Sequence, residues 1–161
     1  MKDALLQVDT ERSVTAFGSI EVSVNAIPLS HLAAYPRDIG QGEQLVMKFK
    51  VTTAFTGASL MQFGIIVSDQ ATLAGGTGII LAMTSPLLGL TGTDLAAGSE
   101  FTLPIPMIPQ SLIGTAIGLQ YLGGTYFTVA GPFTTGAFSA WVERGTSGTK
   151  PAIHPIGYQG P

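Results

Sequence analysis

Apolar and polar residues alternate along this chain with a period of two, and glycine-rich turns cut the alternation into short pieces. Leu45, Met47, Phe49 and Val51 alternate with Val46, Lys48, Lys50 and Thr52, which predicts a strand with one buried face. Ile20, Val22 and Val24 alternate with Glu21, Ser23 and Asn25. In 60–68, Met61, Phe63, Ile65 and Val67 share one side; the other carries Gln62 and Gly64 but also Ile66, so both faces are expected to be partly covered. Segments 79–84, 101–105, 113–121, 126–129 and 137–143 bring the count to eight predicted strands. Between them stand Gly40-Gln41-Gly42, Thr56-Gly57, Ala74-Gly75-Gly76, Thr91-Gly92-Thr93-Asp94, Ala97-Gly98, Gly123-Gly124 and Gly131-Pro132, residues suited to positive or fixed φ. No amphipathic helix of ten residues is legible inside the domain. Many short strands with Gly/Pro turns indicate an all-β sandwich or barrel.

Charge tells where such a fold meets its surroundings. Of 161 residues, 17 are charged, or 11%, against about 25% for an average soluble domain. Eleven of those 17 lie in residues 1–50, and residues 51–143 contain Asp69, Asp94, Glu100 and Glu143 but no Lys or Arg. A domain this poor in charge is expected to share much of its surface with other subunits. A net charge of −3 lacks the basic face that binding nucleic acid requires. No membrane span is expected, because the apolar stretch 101–122 is interrupted by Pro104, Pro106 and Pro109. Asp3 and Asp9 break any signal-peptide run, and there is no cysteine, so synthesis in the cytoplasm and a fold held by packing are expected.

The ends differ from the middle. Residues 1–18 read as an N-terminal arm, 19–143 as the domain, and 144–161 as an extended tail with Pro151, Pro155 and Pro161. Ile153, Ile156 and Tyr158 are spaced apolar anchors in that tail, which reads either as a solvated terminus or as an arm that docks on a neighbour. Two internal segments look alike: Val51-Thr-Thr-Ala-Phe55-Thr56-Gly57 and Val129-Ala-Gly-Pro-Phe133-Thr134-Thr-Gly136. Both suggest a hairpin with an aromatic plug at one end of the sandwich.

Chemistry-bearing constellations are missing. His31 and His154 have no legible partner base, and no Gly-x-Ser-x-Gly elbow occurs. Asp94 with Glu100, or Asp38 with Glu43, are too few oxygen ligands for a metal site. Gly75-Gly-Thr-Gly78 lacks the Lys-Ser/Thr of a phosphate loop. No catalytic residue, cofactor or metal is therefore assigned.

Several strings, taken in order, resemble the capsid-stabilising (cement) proteins of tailed bacteriophages. They are Arg37-Asp-Ile-Gly40-Gln-Gly42-Glu-Gln-Leu45, Val51-Thr-Thr-Ala-Phe55-Thr-Gly57-Ala-Ser-Leu60, Gly64-Ile-Ile-Val67-Ser-Asp69, Leu95-Ala-Ala-Gly98-Ser-Glu-Phe101-Thr-Leu-Pro104-Ile-Pro106, and Leu119-Gln-Tyr121 followed by Phe133-Thr-Thr-Gly136. The resemblance spans roughly residues 20–143. It implies a jelly-roll-like sandwich of about eight strands that clamps major capsid protein on the outside of an icosahedral head. It also implies a dimer or trimer without catalytic activity. The tail after Glu143 departs from that pattern. Arg37, Asp38, Lys48, Lys50 and Arg144, with Ile153, Ile156 and Tyr158, are the expected interaction residues. The competing expectation is a carbohydrate- or receptor-binding sandwich of a virion, with Tyr35, Tyr121, Tyr126 and Trp141 as its candidate rings.

Overall fold

The computed structural model describes residues 6–13, 20–29, 45–57, 60–74, 78–84, 87–88, 94–106, 120–128 and 133–145. The period-two pattern decides the framework. In β4 (Leu45–Thr56), Met47, Phe49 and Val51 are fully buried while Lys48 and Lys50 stand on the opposite face. The strand beside it, β10 (Thr135–Arg144), buries Phe138, Ala140 and Val142 on the same side. The two pair antiparallel from Arg144↔Leu45 to Thr135↔Thr56. β1 (Gln7–Arg12) pairs with the other edge of β10, and β8 (Glu100–Pro104) with the other edge of β4. The result is a four-stranded sheet in the order β1-β10-β4-β8.

The second sheet has the order β2-β9-β5-β6. Its members are β2 (Ile20–Val22), β9 (Tyr121–Thr128), β5 (Leu60–Ser68) and β6 (Gly78–Met83). Two short strands complete it. β3 (Ile27–Pro28) continues the β2 position along β9, and β7 (Leu87–Leu88) continues the β6 position along β5. Among the described residues ten strands thus occupy eight positions, four per sheet, with every pairing antiparallel. Apart from β5 and β6, the chain changes sheet between successive positions. That is the strand arrangement of a jelly roll, and no α-helix occurs among the described residues. The expected all-β sandwich is the observed fold.

The core lies between the sheets. Phe49 of one sheet stacks on Phe63 of the other with ring centroids 4.8 Å apart. Phe138 meets Tyr126 edge-on at 4.5 Å and Phe63 at 5.1 Å. Such offset and T-shaped pairs contribute about 0.5–1.5 kcal/mol each beyond area burial. At one end Phe55 and Phe133 make the expected plug, 4.9 Å apart. The Phe-Thr ends of the two look-alike segments therefore pack on each other, with Thr56 and Thr134 hydroxyls 2.8 Å apart. Gly136 has φ +140, and a Cβ there would lie 2.1 Å from the Phe55 ring, so the plug itself demands glycine.

Two sequence expectations change. Within the expected arm 1–18, Gln7–Arg12 is an edge strand of the four-stranded sheet. Gly123-Gly124 is not a turn: β9 runs straight through it from Tyr121 to Thr128. In β2 the apolar side of the alternation turns outward, leaving Ile20 56% exposed and, just beyond the strand, Val24 64%. Ser23 is buried instead, because its backbone and hydroxyl both bond Gly124 at 2.9 and 3.0 Å.

Candidate interaction surfaces

The outer face of the four-stranded sheet carries charge in a closed arrangement. Lys48 and Lys50 project from β4, Glu100 from β8 and Glu143 from β10. Lys48 Nζ lies 2.8 Å from Glu100 Oε2 and 3.6 Å from Glu143 Oε1, and Lys50 Nζ lies 3.1 Å from Glu100 Oε1. Trp141 Nε1–H donates to Glu143 Oε2 at 2.8 Å, and Lys48 Nζ stands 5.9 Å from the indole centroid, a cation–π distance. Hydrogen bonds from Lys48 and then Lys50 hold the Glu100 carboxyl below the usual carboxylate range. The bond to Glu100 raises the Lys48 ammonium above its ordinary value, with burial opposing and Glu143 adding. Two expected interaction residues, Lys48 and Lys50, are therefore engaged within their own sheet. Sequence reading missed that their partners are two of the four acids in the otherwise uncharged stretch. Alternation alone places Lys48, Lys50 and Glu143 outward, but the register that brings Glu100 opposite Lys50 is a long-range fact.

The outer face of the six-stranded sheet is different. Among the described residues, the large apolar side chains standing well out into solvent are Ile20, Val24, Ile79, Ile80 and Met83, all on or beside this sheet. A groove of about 660 Å³ runs between the β2 side, with Ile20, Val22 and Val24, and Ile66 and Ile80 on the other. The turn after β5 forms a further wall. There Leu73, at φ +50, is buried over Gly123, where a Cβ would lie 2.3 Å from Leu73 Cδ1. Glycine at 123 thus lets a loop side chain seat directly on the sheet. Arg12 and Glu21 close one end, paired at 3.0 Å.

Between the sheets near that end lies a buried polar seam. Asp9 of β1 accepts hydrogen bonds from the Tyr126 hydroxyl and, at 3.1 Å, from the Val24 N–H. Burial pushes the Asp9 carboxyl above its ordinary value, against those two bonds. Burial first, and then the Asp9 charge, hold the Tyr126 hydroxyl well above its own. The seam ties an edge strand of one sheet to a central strand of the other, a structural task. Among the described residues no three His, Asp or Glu side chains gather as metal ligands.

Of the remaining expected residues, Arg144 ends β10 exposed, opposite Leu45. Arg37, Asp38, Ile153, Ile156 and Tyr158 lie outside the described residues, as do His31, His154 and Tyr35. Of the rings proposed for a glycan site, Tyr126 is fully buried and Trp141 is 6% exposed, so neither offers a stacking face. Among the described residues no helix is long and apolar enough to cross a membrane.

With the surfaces placed, comparison supplies a family. The Bbp16 family model matches residues 8–142, from the first strand of the jelly roll to the last. The chain belongs to the Bbp16 family. The Bbp16 match covers both outer faces and the seam between them, and ends before the tail. No curated protein matches the chain.

Proposed function

We infer that this chain is a non-enzymatic structural protein of a tailed phage. It binds the outer surface of an icosahedral head and stabilises contacts between major capsid protein subunits. The observation that carries the reading is the asymmetry of the two outer faces. One neutralises its charges internally, while the other leaves Ile20, Val24, Ile80 and Met83 exposed. An isolated domain gains nothing from such an apolar face, and contact with other subunits does. The ordered string resemblance to phage cement proteins and the jelly-roll strand order point the same way. A contact of about 800 Å² per partner suffices for one stable interface, and repetition over a symmetric shell multiplies weak contacts. On this reading the protein sits in the virion as a small homo-oligomer, with major capsid protein as its partner and no cofactor.

The test uses the purified full chain and expanded heads that lack it. Co-sedimentation of the chain with heads, and a light-scattering mass above that of a monomer, are the expected results. A stable monomer with no affinity for such heads overturns the proposal.

A further inference from the structure

The groove on the six-stranded sheet is concave, and that shape selects its occupant. Leu73 and its neighbours Thr72 and Ala74 raise one wall, and the segment Ile20–Val24 raises the other. A flat sheet from a second copy would rest on those walls and leave the floor at Ile66 unfilled. A single extended chain reaches the floor. The volume, about 660 Å³, lies within the range of about 300–1,000 Å³ that clefts for small ligands occupy, room for a few large side chains.

The chain itself carries a segment of matching chemistry. Residues 146–161 contain one charge, Lys150, and three anchors, Ile153, Ile156 and Tyr158, with Pro151 and Pro155 among them. On an extended chain Ile156 and Tyr158, two residues apart, point to the same side. Prolines lower the entropy lost when such a segment is fixed. The described part of the chain stops at Gly145, at the end of β10, and eight residues from there to Ile153 span up to about 26–29 Å. That is enough to leave the end of one sheet and reach across a jelly roll whose sheets stand about 10 Å apart.

We propose that the tail, residues 146–161, docks in this groove with Ile156 and Tyr158 against Ile20, Val22, Ile66 and Ile80. The tail then fills the groove, within one protein or between two copies, and leaves Met83, outside it, for contact with other subunits. This inference does not rest on capsid binding, and it is tested without heads.

The absence of cysteine makes the test direct. The full-length double variant Ile20→Cys/Ile156→Cys is compared under mild oxidation with Thr102→Cys/Ile156→Cys, which places the first thiol on the opposite outer face. Docking raises the local thiol concentration, so the first pair is expected to crosslink at least about tenfold faster than the second. Both substituted sheet positions are exposed, so folding is retained. A crosslinked band at monomer mass places the docked tail within one chain, and one at dimer mass places it between copies; both support docking. Equal rates for the two pairs overturn it. So does Ile20→Cys alone dimerising as fast as the double variant, which would give the groove to the same face of a second copy. As an independent readout, Ile156→Asp/Tyr158→Asp is expected to speed hydrogen exchange at the edge amides of β2 and β6. Unchanged exchange there also overturns the proposal.

Discussion

The two outer faces of this sandwich solve the same problem in opposite ways. Both are sheet surfaces built by alternation, and each must present something to its surroundings. The four-stranded sheet sets Lys48 and Lys50 against Glu100 and Glu143, so its charges meet one another. The six-stranded sheet carries glycine, threonine and aliphatic residues, and one of its buried outer residues, Leu73, comes from a loop rather than a strand. The first face is finished by the fold itself. The second is finished only in part, by a loop side chain seated over Gly123. Charge depletion over residues 51–143 therefore does not describe the whole surface; it marks one sheet, while the other recruits two of the scarce acids to neutralise lysines.

The hardest way to break that contrast is to remove the plug. Leu73 is 2% exposed, so Leu73→Ala opens a cavity over the sheet and should cost about 2–5 kcal/mol. Urea unfolding measures it, and a loss under about 1 kcal/mol would show that Leu73 rests on the face without sealing it. Next in size is Gly123→Ala. The added methyl would meet Leu73 Cδ1 at 2.3 Å and Ser23 Oγ at 2.5 Å. It forces the plug or the β2 connection to shift, at about 1–3 kcal/mol. A double-mutant cycle between the two positions should show strong coupling, because they occupy the same space.

Much of this architecture was legible, and the failures have one cause. Strand β4 could be read residue by residue because its polar side carries Lys48 and Lys50, which no core accepts unpaired. Ile66 was correctly read as covered on the outer side of β5. In strand β2 alternation alone does not say which side is buried, and Ile20, Val22 and Val24 look like a core stripe. What decides the side is tertiary: Ser23 is held to Gly124 and Glu21 to Arg12, which sends the neighbouring side chains outward. The same contact explains Gly123-Gly124. Two glycines read as a turn by local rules, but here they permit close approach to a strand interior. Of the candidate site, Lys48 and Lys50 were found as a pair facing outward. Their acidic partners were not, since register across strands 50 residues apart is not written in either strand alone.

The ion-pair face makes a smaller prediction, with a pH signature that the apolar face cannot share. Glu100 touches both lysines, so Glu100→Gln removes two contacts at once. The groups are one-quarter to two-fifths exposed, so the loss should be up to about 1 kcal/mol and should shrink with salt. Glu100 titrates below its ordinary 4.5 in the fold. Its contribution is therefore present above that value and is lost as pH falls through the depressed one. Lys48 titrates above its ordinary 10.5, so its share is present below that value and is lost as pH rises through the raised one. The difference between wild type and Glu100→Gln should be flat between about pH 5 and pH 10 and fall away on both sides. A difference unchanged at pH 2, or insensitive to salt, would mean that these pairs are not what finishes the face.

The smallest expected effect on folding is also the one that separates the faces by purpose. Met83 stands 37% exposed on the six-stranded sheet, opposite Gly64 and outside the groove. Met83→Gln keeps the length of the side chain and replaces its apolar end, so unfolding stability should stay within about 0.5 kcal/mol of wild type. Thr102→Gln on the opposite sheet should be equally quiet in unfolding. The two variants should part company in association. If apolar exposure on the six-stranded sheet serves contact with other subunits, Met83→Gln weakens binding to expanded heads while Thr102→Gln does not. Equal binding by both would move the contact elsewhere, and a large stability loss at Met83 would show that this part of the face is already closed by the chain itself.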